Sequence, residues 1–156
     1  MTDEMKVKNA VSAYQTLCNS LDKDNWNYGK DEKVLIVRYN ETGRDLTMAC
    51  LIMIDVKRQV VRFNSNLPIG ASRQKMIDVA VACNIVNSKI AYGSFDLDIS
   101  NGSINYRMTY SFMGCEPGED FFRTMRCYAT TVLDKYNDKF VDLITGRIQA
   151  TDFADL

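Results

Sequence analysis

The sequence predicts an α+β domain: an antiparallel sheet of about five strands with helices packed against it, in the order α-β-β-β-α-β-β-α. Apolar residues alternate strictly on both sides of Asn101-Gly102, a dipeptide typical of a tight hairpin turn. Helical apolar spacing recurs in three long stretches, near the two ends of the chain and just before the hairpin. The 156 residues are expected to form a single domain, with a polar and loose tail after about residue 147.

The composition argues against several classes of function. A net charge of −1 offers no basic field for nucleic acid or for an anionic membrane, so neither is expected as a partner. The chain has no histidine, which is the commonest general base at neutral pH and a common zinc ligand. Its five cysteines are widely spaced, and neither a signal peptide nor a membrane-spanning apolar run is recognisable. We therefore expect buried free thiols in a cytoplasmic protein.

The first half of the chain is predicted to form a helix followed by three strands. The helix covers residues 3–21, and the strands cover residues 33–39, 46–54 and 60–64. Short turns predict an antiparallel meander, in which the first strand is central and covered on both faces and the third lies nearer an edge. Trp26 and Tyr28 precede the first strand, where they either cover the core or form an aromatic binding patch.

Residues 66–70 are predicted to break the sheet, and residues 72–91 to form a second helix. Its main apolar stripe is Met76, Val79, Ala80, Cys83, Val86 and Ile90. Ile77, Val81 and Ile85 form a second apolar arc, and a helix that is apolar nearly all round is normally buried on more than one side. The second arc predicts either a further contact with the sheet or an interface with a homodimer mate or another partner.

A two-residue type I′ turn at Asn101-Gly102 is predicted to set the register of the hairpin. The facing pairs are then Ile99–Ile104, Leu97–Tyr106, Phe95–Met108 and Asp96–Arg107. A last amphipathic helix of about 25 residues is predicted to begin near Glu119 and to end at Gly146.

Aromatic residues of the hairpin and the last helix allow two interpretations. Tyr106, Tyr110, Phe121 and Tyr128 either fill the core or line a small-molecule pocket between the sheet and the last helix. The sequence contains no phosphate-binding glycine loop, no nucleophile motif and no complete calcium loop. We therefore expect no catalytic residue, no metal site and no cofactor.

Three short motifs lie in the second helix and the hairpin. They are Asn84-Ile85-Val86-Asn87, Gly93-Ser94-Phe95-Asp96-Leu97-Asp98 and Asn101-Gly102-Ser103-Ile104-Asn105-Tyr106-Arg107. Together they resemble bacterial YbjN-type proteins, whose fold is similar to that of type III secretion chaperones. The resemblance implies a domain that dimerises and binds other polypeptides. Members of the family are labelled candidate sensory-transduction regulators, and they offer no catalytic residues to carry over.

The leading hypothesis is a non-catalytic, cytoplasmic, dimeric protein-binding module, either chaperone-like or regulatory. The alternative is a small-molecule sensor that uses the aromatic pocket. A third hypothesis, an enzyme of an unrecognised type, would require a deep polar cleft with clustered acidic groups.

Overall fold

The computed structural model describes residues 1–156 and confirms an α+β fold in which three helices pack against one antiparallel sheet. The helices are α1 (Asp3–Lys23), α2 (Met76–Asn87) and α3 (Glu119–Ile144), followed by a 3-10 helix (Ala150–Asp155). The strands are β1 (Tyr28–Asp31), β2 (Ile36–Thr42), β3 (Thr47–Asp55), β4 (Val60–Gly70), β5 (Ser94–Leu97) and β6 (Ser103–Ser111). The predicted order is confirmed, with β1 as one additional strand.

The strands are arranged in the order β1-β2-β3-β4-β6-β5, and all neighbours are antiparallel. Buried and accessible residues alternate along the longer strands, because the helices cover only one face of the sheet. The centre of the core is a buried row of side chains that face one another across four strands: Val37, Ile52, Phe63 and Met108. The strand predicted over residues 33–39 corresponds to β2. The prediction that both of its faces are covered is therefore wrong.

Strand β4 departs furthest from the sequence prediction. The sequence predicted a short strand over residues 60–64 near an edge, with a break at residues 66–70. Instead, β4 has 11 residues and lies between β3 and β6. Its pairing with β6 is irregular between Asn66 and Gly70. Pro68 falls in this irregularity, where a missing ladder N–H costs little, so the proline does not end the strand.

The hairpin forms with a register that differs by two residues from the predicted one. The facing pairs are Leu97–Ile104, Asp96–Asn105, Phe95–Tyr106 and Ser94–Arg107. Asp96 and Arg107 still form an ion pair, but a diagonal one. The predicted faces of the two strands are unchanged, because a shift of two residues preserves the alternation.

The turn of the hairpin is longer than predicted and spans residues 98–102. Only Gly102 has a positive φ there (79°), whereas a type I′ turn needs two such residues. The Asp98 carboxylate accepts hydrogen bonds from the Ser100 N–H (2.9 Å) and hydroxyl (2.6 Å), which stabilise the longer turn. Ile99 consequently leaves the strand and is 78% exposed.

Helix α2 is shorter than predicted, and α3 is confirmed as a single helix of 26 residues. The buried side of α2 includes Val79, Cys83 and Val86 as predicted, but Ala82 is buried in place of Ala80. No helix in the chain combines the length and the apolarity that crossing a lipid bilayer requires.

The segment after α3 is docked on the domain. Phe153 in the 3-10 helix is fully buried, and its ring centroid lies 5.1 Å from that of Phe140. The Lys89 ammonium donates hydrogen bonds to the backbone carbonyls of Phe153 (2.9 Å) and Leu156 (3.1 Å). The prediction of a loose tail after about residue 147 is therefore wrong, since one aromatic anchor holds an otherwise polar segment in place.

All five cysteines are free thiols, but they are not all buried. Burial raises the pKa of both Cys50 and Cys83 to about 12, so these two thiols stay protonated and unreactive at neutral pH. Cys115 and Cys127 are exposed, which corrects the prediction of buried thiols: Cys115 lies in a loop and Cys127 on the solvent side of α3.

The outer edge of β5 is hydrogen-bonded by a side chain of α2. The Asn87 carboxamide accepts from the Phe95 N–H (2.7 Å) and donates to the Phe95 carbonyl (3.0 Å). One side chain thus satisfies both backbone groups that an edge strand would otherwise leave unpaired. This contact gives a structural role to the second asparagine of the Asn84–Asn87 motif.

Replacing Asn87 by Ala is expected to lower the free energy of unfolding by about 1–3 kcal/mol, because two backbone groups of the buried Phe95 lose their partner. Asn84→Ala is the matched control, since Asn84 lies three residues earlier on α2 and is exposed. Urea unfolding of both variants measures the difference, and equal effects would contradict the role of Asn87.

Candidate ligand-binding groove

A groove lined mainly by aromatic residues lies between the end of β6, the first turns of α3 and the loop that joins α2 to β5. Its volume is about 360 Å³. The lining consists of Tyr92, Tyr110, Asp120, Phe121, Thr124, Met125 and Tyr128. We call it the aromatic groove. Small-molecule sites in proteins typically have volumes of about 300–1,000 Å³, so the size is adequate for a small ligand.

The four aromatic side chains of the groove come from three elements. Phe121 and Tyr128 are seven residues apart on α3, which places them about two turns apart on one helix face. Tyr110 lies near the end of β6, on the face that the helices cover. Tyr92 belongs to the loop between α2 and β5. The groove therefore exists only when all three elements are assembled.

The rings support one another through direct contacts. Tyr92 and Tyr128 meet edge to face, with centroids 5.2 Å apart and planes at 81°. Tyr110 and Phe121 do the same at 5.3 Å and 87°, and Tyr92 lies 6.1 Å from Tyr110. Such pairs each contribute about 0.5–1.5 kcal/mol beyond the burial of area. The aromatic wall is consequently stabilised by contacts among its own rings.

Two phenol groups fix the backbone at Tyr92. The Tyr106 hydroxyl donates to the Tyr92 carbonyl (2.8 Å). The Tyr128 hydroxyl accepts from the N–H groups of Ala91 (2.8 Å) and Tyr92 (3.2 Å). Tyr92 is 55% exposed, although hydrogen bonds fix both its backbone N–H and its backbone carbonyl.

The lining of the groove carries little charge. Asp120 is its only charged residue, and it pairs with Arg123 on the next turn of α3 (2.7 Å). Burial, together with the nearby phenols of Tyr92 and Tyr128, raises the pKa of Tyr110 to about 12. Tyr110 therefore keeps its proton at neutral pH, and its face of the groove remains uncharged.

Three of the four residues predicted for the pocket meet in the groove, namely Tyr110, Phe121 and Tyr128. The fourth, Tyr106, is fully buried, so placing it in the lining was wrong. The sequence does not predict Tyr92 as part of the pocket, because a loop residue belongs to no periodic pattern. The one available signal was an aromatic residue between Ala91 and Gly93, where no core position was predicted.

The second apolar arc of α2 lies on a different surface. Ile77 is 78% exposed, Val81 is 43% exposed and Ile85 is half-buried. The sheet does not cover Ile77 and Val81. The predicted further contact with the sheet is therefore excluded for these two residues. Their role in an interface stays a prediction.

Trp26 packs on the edge of the core. Its ring meets that of Tyr39 edge to face at 5.0 Å, and the Arg126 guanidinium lies 5.1 Å from its centroid. Arg126 is buried and donates to the Asp24 carboxylate (2.7 Å). Hydrogen bonds from Arg123 and Arg126 hold the pKa of Asp24 below its usual value. Tyr39 and the guanidinium of Arg126 both contact the Trp26 ring, so the structure favours packing over an aromatic binding patch at Trp26.

Another groove, of about 700 Å³, crosses the uncovered face of the sheet. Its side chains include Arg38 and a set of asparagines: Asn27, Asn40, Asn64 and Asn66. Polar residues alternating with buried ones are the usual solvent face of an antiparallel sheet, so the size of this groove is not evidence of a binding site. No three His, Cys, Asp or Glu side chains lie close enough together to hold a metal ion.

The fold places the chain among α+β domains with a YbjN-like arrangement of sheet and helices. One similar solved structure is that of YbjN from E. coli, described as a candidate transcription regulator. The TM-score is 0.57 and the sequence identity 12%, over 81% of this chain and 92% of that chain. No family model matches the sequence, and no curated protein matches it significantly. At this identity, the similarity confirms a YbjN-like fold.

Proposed function

We propose that this protein is a non-catalytic, regulatory domain that binds a small, largely apolar molecule in the aromatic groove. The observation that carries the proposal is the convergence of four aromatic side chains from three elements on a groove of about 360 Å³. Tyr92 is 55% exposed and the other three side chains are half-buried, so these residues line the groove as well as packing against one another.

A regulatory role is supported by the way a ligand would connect separate elements. A molecule in the groove would contact the α2–β5 loop, β6 and α3 at the same time. Binding would therefore stabilise the arrangement of these elements relative to one another, which is how a ligand changes a surface elsewhere on a domain. The description of the E. coli neighbour as a candidate transcription regulator is consistent with such a role.

A protein partner and a homodimer stay predictions, and they concern a different surface. The observation that favours them is the pair of exposed apolar side chains Ile77 and Val81, one helical turn apart on α2. This surface and the aromatic groove share no residue, so both functions are compatible in one domain.

Isothermal titration with indole, a neutral aromatic molecule of suitable size, tests the proposed function. We expect a dissociation constant of about 1 mM or tighter, as befits a ligand of nine heavy atoms. Tyr92→Ala should weaken binding about tenfold, because it removes one wall of the groove while leaving the core intact. Ile77→Ala, which truncates an exposed apolar residue outside the groove, should leave the affinity unchanged. Failure to bind indole at about 10 mM, or equal binding by Tyr92→Ala, would refute the proposal.

A further inference from the structure

The charges around the aromatic groove are asymmetric. No lysine or arginine lines the groove, and its single charged residue is the acidic Asp120. One oxygen of Asp120 bonds to Arg123, whose guanidinium also donates to Asp24 on the other side (3.1 Å). Because Asp120 is exposed, this ion pair is weak and leaves a carboxylate at the rim. The groove is therefore poorly suited to an anion.

The walls of the groove present several aromatic rings to one small volume. Three of the four rings are phenols, and the ring faces of tyrosine and phenylalanine carry negative charge density. The aromatic ring faces and the exposed Asp120 carboxylate favour positive charge in the groove.

The polarity of the lining restricts the kind of cation. Apart from Asp120, the only polar side chains are the phenols and the hydroxyl of Thr124. A primary ammonium group needs three hydrogen-bond acceptors to replace water, and a groove whose walls are mainly aromatic favours it less. A methylated ammonium has no such need, because methyl groups spread its charge over an apolar surface that packs against aromatic faces.

We infer that the aromatic groove binds a small organic cation whose nitrogen carries methyl groups, of the quaternary ammonium class. The methylated head lies against the rings of Tyr92, Tyr110 and Phe121, and Asp120 at the rim balances its charge. This inference rests on the proposed function, because it assigns a class of ligand to the same groove. A volume of about 360 Å³ accommodates a trimethylammonium head with a short tail.

Isothermal titration with choline and with 3,3-dimethylbutan-1-ol, its neutral isostere, tests the inference. The two molecules have the same shape, so the difference in affinity isolates the positive charge. We expect choline to bind at least about tenfold more tightly than the alcohol. Asp120→Asn should weaken choline several-fold and leave the alcohol unaffected. Tyr92→Leu keeps an apolar side chain but removes an exposed aromatic ring, and it should reduce the preference for choline.

The outcomes separate this inference from the proposed function. If the alcohol or indole binds as tightly as choline, the groove is a ligand site but the preference for a cation is refuted. If indole does not bind, the proposed function is overturned, and the inference that rests on it is overturned with it. If choline binds but Tyr92→Leu and Asp120→Asn bind it like the wild type, the cation site lies elsewhere and the inference is wrong.

Discussion

Replacing Phe153 by Ala should lower the free energy of unfolding by about 3–5 kcal/mol, the usual cost of truncating a fully buried phenylalanine. Phe153 is 0% exposed and continues a row of tilted aromatic rings, in which Phe95, Phe140 and Phe153 follow one another at centroid distances of 5.1 Å. The 3-10 helix has no other buried side chain, so the loss of this one ring should also release the whole tail. Urea unfolding measures the change in stability.

The control for Phe153 comes from the same segment. Leu156 is 37% exposed, and Leu156→Ala should change the free energy of unfolding by less than about 0.5 kcal/mol. Limited proteolysis should cleave the tail of Phe153→Ala much faster than that of the wild type or of Leu156→Ala. If Phe153→Ala were as stable as Leu156→Ala, the tail would be loose, as the sequence predicted.

Replacing Gly102 by Ala should destabilise the domain by about 3 kcal/mol. A φ of 79° costs a non-glycine residue about 1–2 kcal/mol. A Cβ at this position would also collide with the backbone carbonyl of Ala71. The two backbones cannot separate freely, because the Ala71 N–H donates to the Gly102 carbonyl (2.8 Å) and a hydrogen bond is worth about 1 kcal/mol.

Gly114→Ala separates the two causes. Gly114 has the same φ of 79°, but a Cβ there would meet no atom within 4 Å. Its replacement should therefore cost only the free energy of placing a non-glycine residue at a positive φ, about 1–2 kcal/mol. The difference between the two variants in urea unfolding measures the collision between the hairpin turn and Ala71. Equal destabilisation by Gly102→Ala and Gly114→Ala would contradict the observed packing of the turn.

The hairpin illustrates both the strength and the limit of an apolar pattern. Alternation predicted two strands and placed Phe95, Leu97 and Tyr106 on one face, as observed. It could not fix the register, since a shift of two residues leaves every side chain on its face. The register depends on the turn, where Asp98 bonds to Ser100 and replaces the expected type I′ geometry. The side chains of a turn predict the register less reliably than apolar periodicity predicts the strands.

Strand β4 and the tail were mispredicted because their local signals are ambiguous. A proline usually ends a strand, but Pro68 lies where the pairing of β4 with β6 is already irregular. The tail is polar, and a single buried ring at Phe153 decides its position. In both cases a tertiary contact overrides the local preference, and a single sequence does not contain that contact.

The groove was partly predictable for a related reason. Phe121 and Tyr128 follow the apolar face of α3, and Tyr110 follows the covered face of β6, so periodicity points all three toward the same space. The same pattern pointed to Tyr106, which lies deeper along β6 and is fully buried. Tyr92 reaches the groove only through the fold of its loop.

The most direct test of the aromatic groove as the binding site is the position of a bound ligand. Titration of the isotope-labelled protein with indole, followed by ¹H–¹⁵N correlation spectra, gives that position residue by residue. We expect the largest shifts at the amides of Ala91, Tyr92, Tyr110 and Phe121, with the α2 surface around Ile77 unchanged. Shifts confined to α2 or to the uncovered face of the sheet would contradict the groove as the site of recognition.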